Sequence, residues 1–439
     1  MHDASQTMSR TTSARQAVQE ALSRVDAAEA EVHAWVALSD HALDDADAVD
    51  RRAAAHPGTL PLRGLVVGVK DIIDVAGLPT RCGSEPTTSP APTASSAPCV
   101  RRLEDLGAVV LGKTVTTEYG YFAPGPTDNP AAPGHTPGGS SSGSAAAVAA
   151  GMVPLALGTQ TAGSLTRPAA YCGVTGMVLA HGSTDTSGIT GLSESLDSLG
   201  LVTRTVDDLA VVYEAFAGTP VRTDGASDVD SRTGPQVLLW RPRLADPLDP
   251  LMERALKLAA TLLAGSGVSA APLEWDDHVR TLLADHPVIM AHEAARQRAA
   301  LLDRPDDISA PLRDLLSAGA AITPEEHHDA RVRLDVSRAD LGTLLAGGRV
   351  VLGPAALGPA PAGLAATGSP VLSRPWQALG LPVVTVPGLR SAHGLPLGLQ
   401  VIGLPGEEAA LFAVAARLES LVAGVVVDRD ADLPAPHAH

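Results

Sequence analysis

The chain has 439 residues, and its 32 Lys and Arg against 49 Asp and Glu give a formal charge of −17. With 45% hydrophobic and 18% charged residues it is composed like a globular protein with a large core, not a disordered acidic tail or a fibre. Its acidic balance opposes non-specific attraction to nucleic acid. Three cysteines (Cys82, Cys99, Cys172), with no C-x-x-C pair and no Cys/His cluster at metal spacing, argue against a disulfide scaffold or structural zinc. The first ten residues lack the apolar stretch of a signal peptide. No run of about 18 apolar residues occurs, and the longest, Ala145 to Leu157, is broken by Gly151 and Pro154. The expectation is a cytoplasmic protein with no nucleic-acid and no membrane partner.

From Ser13 to about His33, Ala17, Ala21, Val25 and Ala28 recur at helical spacing, and a second helix is predicted from about Asp40 to Ala55. Gly64 to Asp74 opens as a short β-branched run with Lys70 at its end, the pattern of a buried strand entering a turn. Cys99 to Leu106 reads as helix, Ala108 to Gly112 as strand, Ser142 to Gly151 as helix, and Val153 to Leu157 as strand. Thr205 to Gly218 is a helix with a Thr N-cap and Asp207-Asp208 in its first turn. Asp224 to Gly234 is the best linker candidate. Helical periodicity dominates Leu251 to Gly348, including Asp277 to Leu302 and Glu325 to Leu345. Strands are predicted at Val237 to Trp240, Val350 to Leu352, Pro382 to Val386 and Leu397 to Ile402, before a last helix from Glu407 to Leu421. Strands separated by helices indicate α/β layers around a mixed sheet.

The most informative segment is Gly134-His-Thr-Pro-Gly-Gly-Ser140-Ser-Ser-Gly-Ser144-Ala-Ala-Ala, followed by Leu157-Gly-Thr-Gln-Thr-Ala-Gly-Ser164-Leu-Thr-Arg-Pro168. Two Gly/Ser loops flank one short helix. Small residues let backbone approach a ligand, and free N–H groups at a helix start or turn can hold an anion or oxyanion. Gly/Ser tracts are ordinarily linkers, but this one lies between apolar elements. A phosphate cradle lacks the G-x-x-x-x-G-K-[ST] order. Gly139-Ser-Ser141-Ser-Gly143 fits the pattern of a nucleophile elbow, yet no strand precedes it.

Lys70 in Gly-Val-Lys-Asp, Gly-Gly-Ser140-Ser-Ser-Gly-Ser-Ala-Ala-Ala and Gly-Thr-Gln-Thr-Ala-Gly-Ser164 together resemble the amidase signature family, and the 24 residues from Ser140 to Ser164 match its spacing. Further similar blocks include Pro61 to Lys70, Ala169 to Gly176, Leu196-Asp-Ser-Leu-Gly, Gly380 to Gly388 and Gly394 to Gly403, with a weak stretch from about 220 to 370. The resemblance implies a three-layer α/β/α fold around a large mixed β-sheet. It also implies one domain over 1–439, with a signature core at about 60–218, a variable helical region at about 219–370 and a return to the core at about 371–425.

It further implies a Ser-cisSer-Lys triad: Ser164 as nucleophile, Ser140 behind a cis peptide as proton relay, and Lys70 as base. A serine hydroxyl is a poor nucleophile until a base accepts its proton. Lys70 must then rest neutral although a free lysine titrates at about 10.4. Burial would lower it, and Asp71 and Asp74 would oppose this if they pointed inward. Thr161, Ala162 and Gly163 match the oxyanion loop.

Many relatives carry Asp, Gly and Ile-Arg where this chain has Gln160, Ala162 and Leu165-Thr166, so a charge beside the oxyanion loop is lost. Arg167 stands where the branch containing bacterial malonamidases grips a substrate carboxylate; a structural salt bridge is the other reading. Gly138, Gly139 and Tyr119 are further substrate-binding candidates, with core packing an equal alternative for Tyr119. His135 adjoins the loop but has no role in the implied mechanism. His327-His328 and the His437 and His439 tail read as solvent-exposed. The implied activity is hydrolysis of small linear amides, extending to carbamates, anilides or esters, with no cofactor or metal, in a monomer or homodimer. A subunit releasing ammonia for a partner enzyme and a catalytically silent binding protein are the alternatives.

Overall fold

The computed structural model describes residues 13–84, 90–221 and 236–428. The linker candidate at Asp224 to Gly234 and the His437 and His439 tail lie outside these residues. The first part of the chain folds as α1 (Ala14–Val32), β1 (Trp35–Leu38), α2 (Ala42–Ala55), β2 (Val66–Lys70), α3 (Pro98–Asp105) and β3 (Val109–Thr114). Next come α4 (Ser142–Ala149), β4 (Leu155–Gln160), α5 (Thr166–Cys172), β5 (Thr175–Val178), β6 (Ser198–Thr203) and α6 (Val206–Ala217). The helical stretch holds β7 (Val237–Leu239), α7 (Pro250–Gly265), β8 (Ala270–Pro272), α8 (Asp276–Gln297), α9 (Ala310–Ala321) and α10 (Pro324–Leu345). The chain then returns through β9 (Val350–Pro354), α11 (Arg374–Ala378), β10 (Val383–Ser391), β11 (Pro396–Ile402), α12 (Glu408–Val422) and β12 (Val426–Val427).

The strands form one twelve-stranded sheet in the order β1-β3-β2-β4-β6-β5-β10-β11-β9-β7-β8, with β12 beside β10. The β3-β2-β4 and β9-β7-β8 runs are parallel, and the pairs between them are antiparallel. Successive strand residues face opposite layers. Val109 and Leu111, Ala156 and Val351 enter a core with α1, α2, α4, α5 and α8 to α11; Val110, Leu155, Leu157, Val350 and Leu352 enter another with α3, α6, α7 and α12. These are the three α/β/α layers around a large mixed sheet that the family resemblance implies.

Local chemistry accounts for the elements read correctly. Ser13 caps α1 and accepts the Gln16 N–H, while Thr205 accepts the Asp208 N–H and Gly218 closes α6 in the left-handed conformation. Strands β1, β5, β6, β8 and β12 and helix α11 had no sequence expectation, and several expected features are revised. Strand β4 begins after Pro154, which has no N–H to donate, and runs on through Gly158-Thr-Gln160, so the second Gly/Ser loop shrinks to residues 161–165. Helix α5 follows at once, with all seven residues buried and therefore no amphipathic pattern to read. His327 is a correction: it is held by Glu293 at 3.0 Å and stacks on His292, instead of facing solvent as His328 does.

The parallel strands β2, β3 and β4 all deliver their C-terminal ends to the same edge, where loops of an α/β sheet build sites. Helix α4 is pressed against this edge at Gly143, where an added Cβ would stand 2.3 Å from the Ala34 oxygen and 2.4 Å from the Val115 nitrogen. Both are backbone atoms and cannot step aside. Gly143→Ala is expected to lower unfolding stability by about 1–3 kcal/mol, read as a lower urea midpoint at an unchanged slope.

Candidate active site

Lys70 closes β2 and Thr159 lies near the end of β4, its parallel neighbour. Between them the loop before α4 crosses. Gly138 turns it with a φ of 81°, and the Gly139–Ser140 peptide is cis. Ser140 then faces Lys70, whose Nζ lies 2.7 Å from Ser140 Oγ and 2.8 Å from Thr159 Oγ1. The Ser141 N–H donates to the Ser164 carbonyl at 3.0 Å and the Thr117 N–H to the Ser140 carbonyl at 3.2 Å, so backbone bonds hold the two serine segments side by side.

Lys70 is fully buried and forms no ion pair among the described residues. Asp71 turns instead to Lys113, at 2.8 Å, and Asp74 accepts from Thr80 Oγ1 at 2.7 Å. Neither opposes deprotonation. Burial brings Lys70 from its ordinary 10.5 down to about 7, against the pull of Asp197 and Cys82.

Thr161, Ala162, Gly163 and Ser164 line a narrow cavity of about 20 Å³ together with Ser140, Gly139 and Arg167. A larger cavity of about 210 Å³ adjoins it at Ser140, lined by Tyr119, Thr190, Glu194, Asp197 and Arg298 among others. Gly120, Ser140, Thr161 and Leu192 border both. Thr161 is held at two points: its hydroxyl donates to Asp197, and its carbonyl accepts from His286 Nε2 at 2.8 Å. Asp197 also takes the N–H groups of Leu192 and Ser193 at 2.8 and 3.0 Å.

Gln160 is more than a lost charge. Its Oε1 accepts the Leu165 and Thr166 N–H groups, both at 3.0 Å, and so caps α5 directly behind Ser164. Its Nε2 donates to Gln377 Oε1 at 3.0 Å, and Gln377 Nε2 returns a bond to the Gln160 carbonyl at 3.1 Å.

The salt bridge considered for Arg167 does not form among the described residues. Its Nε donates to the Thr367 carbonyl and its Nη2 to the Gly139 carbonyl, both at 2.6 Å, while the buried Nη1 has no partner there. Tyr119 lines the larger cavity and also packs on both cores, so the two readings of it are joint. Gly138 lines neither cavity; an added Cβ would stand 3.1 Å from Pro168, so its part is the turn itself. His135 bonds the Pro133 carbonyl and borders neither cavity. Sequence reasoning missed Thr159, Asp197, His286, Arg374 and Gln377. Thr159 and Asp197 stood inside blocks already singled out, whereas His286 and Arg374 carried no local signal.

The Lys70 shift has a direction for stability. Between pH of about 7 and 10 the unfolded chain holds a proton at Lys70 that the folded chain has released, so stability rises with pH across that window. Unfolding free energies at about pH 7 and about pH 9.5 are expected to increase more for the native protein than for Lys70→Met.

A family model described as Amidase matches residues 16–330. A glutamyl-tRNA(Gln) amidotransferase subunit of Anaeromyxobacter dehalogenans is 32% identical, covering 93% of this chain and 92% of that one. A solved structure described as an unexpected vestigial protein complex, revealing the evolutionary origins of an s-triazine catabolic enzyme, matches with a TM-score of 0.83 at 29% identity, covering 93% of this chain and 95% of its own. Another, an amidase, matches with a TM-score of 0.80 at 29% identity, over 94% and 96% of the two chains. With the lysine, the two serines and the sheet that carries them in place, the chain belongs to the amidase signature family, whose members hydrolyse C–N bonds.

Proposed function

We propose that the chain hydrolyses small amides through an acyl-enzyme on Ser164, with Ser140 and Lys70 moving the proton and the N–H groups of Thr161, Ala162 and Gly163 receiving the oxyanion. The observation that carries this reading is the 2.7 Å contact between Lys70, fully buried and without an ion pair among the described residues, and the Oγ of Ser140, which shares a cavity with Ser164. Neutral Lys70 accepts the Ser140 hydroxyl proton as Ser140 takes that of Ser164. Ser164 Oγ then bonds the amide carbon, and the carbonyl electrons move onto oxygen. When the C–N bond breaks, Ser140 returns a proton to the departing nitrogen and recovers one from Lys70. A water activated by the same pair then cleaves the ester and restores Ser164. Because the steps act on the carbonyl, the same groups extend to carbamates, anilides and esters.

The departing amine must face its proton source, so the larger cavity beside Ser140 suits the leaving group and the narrow one a short acyl group. Arg167 and Arg374 line that narrow cavity, and one guanidinium nitrogen of each, Arg167 Nη1 and Arg374 Nε, is buried without a hydrogen-bond partner among the described residues. No Asp or Glu lines it. Burial lowers Arg167 to about 10, Tyr171 opposes this and nearby Arg374 adds to it, and at neutral pH Arg167 is still charged. Two cations without a counter-charge suit an acyl group that ends in a carboxylate. The resemblance of Arg167 to the malonamidase branch points the same way.

A second reading, in which the chain supplies ammonia to a partner enzyme, is favoured by likeness to the amidotransferase relative over most of both chains. Stoichiometric co-purification of a partner, with glutamine as the preferred amide, would establish it over the first.

Ser164→Ala is expected to abolish turnover and labelling by a serine-directed fluorophosphonate; retained turnover would overturn the reading. In the native protein kcat/KM is expected to rise with pH through about 7 and level off above it, as Lys70 loses its proton. Arg374→Gln, which touches no catalytic bond, is expected to lower kcat/KM about 10- to 100-fold for the monoamide of a short dicarboxylic acid and to spare a neutral amide of equal length. An equal loss for both would remove the carboxylate preference.

A further inference from the structure

We propose that His286 is a positioning residue for the oxyanion hole: by donating to the Thr161 carbonyl it orients and polarises the peptide whose N–H belongs to Ala162. The inference rests on the reading of residues 161–163 as the oxyanion loop. A peptide unit is planar, so fixing the direction of the Thr161 C=O fixes the opposite direction of the Ala162 N–H. A donor on that oxygen also draws electron density through the amide and strengthens the N–H as a donor, by about 10–30% per bond in a hydrogen-bond chain. The His286 bond, at 2.8 Å, does both.

The carbonyl can only accept, so Nε2 carries the ring proton. The ring is fully buried, and burial takes its pKa down to about 3, against the Thr161 bond and with the help of nearby Arg374. It is therefore a neutral donor throughout the range in which Lys70 titrates. The support behind it is rigid. Next to it, Asp285 binds Arg333 through two bonds of 2.9 and 2.6 Å, tying α8 to α10. Thr161 is gripped from its other end by Asp197, at the entrance to β6. The loop thus hangs between the sheet and the helical region, and the helical region supplies the bond that aims it.

The test compares His286→Leu, which removes the donor, with His286→Gln, which offers an N–H of similar reach. Each is assayed with p-nitroacetanilide for kcat and KM, with propylboronic acid as a tetrahedral mimic, and by thermal melting. His286→Leu is expected to lower kcat about ten-fold or more with KM within about two-fold, to weaken boronate binding in parallel, and to leave the pH midpoint in place. His286→Gln is expected to recover most of the loss. Undiminished kcat and boronate affinity in His286→Leu would overturn the inference, as would equal losses in both variants that follow the melting temperature. Turnover by Ser164→Ala in the same assay would overturn the underlying reading instead.

Discussion

A lysine ammonium buried with no carboxylate in ion-pair contact among the described residues is held against its own solvation, and the architecture around Lys70 is arranged so that the lost proton, not a lost fold, relieves the cost. The neighbouring strand shows the alternative outcome. Lys113 on β3 is just as buried, but Asp71 turns to it and supplies the opposite charge. One acidic side chain, directed one way, decides which of two adjacent lysines has a charged partner. Had Asp71 faced Lys70, that ammonium would have been stabilised and the hydrogen bond to Ser140 would join two groups unable to exchange a proton at neutral pH.

The rest of the site is a set of backbone bonds that keep small residues close to this lysine. Parallel strand ends bring Lys70 and Thr159 together, the turn at Gly138 brings Ser140 across, and the Ser141-to-Ser164 bond brings the second serine into the same cavity. Gln160 then fixes the start of α5, and Arg167 in that helix holds the carbonyl of Gly139. Lys70, Gly139 and Arg167 are linked around a closed circuit, so a change at one is felt at the others. The wall of the narrow cavity is completed by Met290 from α8 and by Thr367, Pro370 and Arg374 from the segment that leads into α11, all distant in sequence from the two serines.

The sequence was legible wherever one residue's chemistry acts locally. The spacing of Ala17, Ala21, Val25 and Ala28 with the Ser13 cap gives α1, and the β-branched run ending in Lys70 gives β2. The triad candidates were legible through resemblance, since their blocks are short and contiguous. What stayed hidden is either buried on every side or paired over long distances. Helix α5 and strands β5 and β6 have no exposed face, so no period marks them. His286 reaches Thr161 across 125 residues, and His327 looks like part of a charged, exposed helix until Glu293 is seen beneath it. Gln160 reads as a missing acid because only the fold reveals the two amides it caps.

The circumstances of Lys70 also give meaning to how the chain spends its cations. Among 32 basic side chains only three are lysines: Lys70, Lys113 and the exposed Lys257. Nearly every position that needs a positive charge has been given arginine, whose guanidinium keeps its proton at neutral pH even when buried. Two of the three exceptions lie in the sheet's interior, where the slender ammonium fits between strands. At Lys70 size is the lesser reason. Arginine there would retain the charge and forfeit the acid–base equilibrium, so drift toward arginine across the protein meets at this residue a limit set by proton affinity.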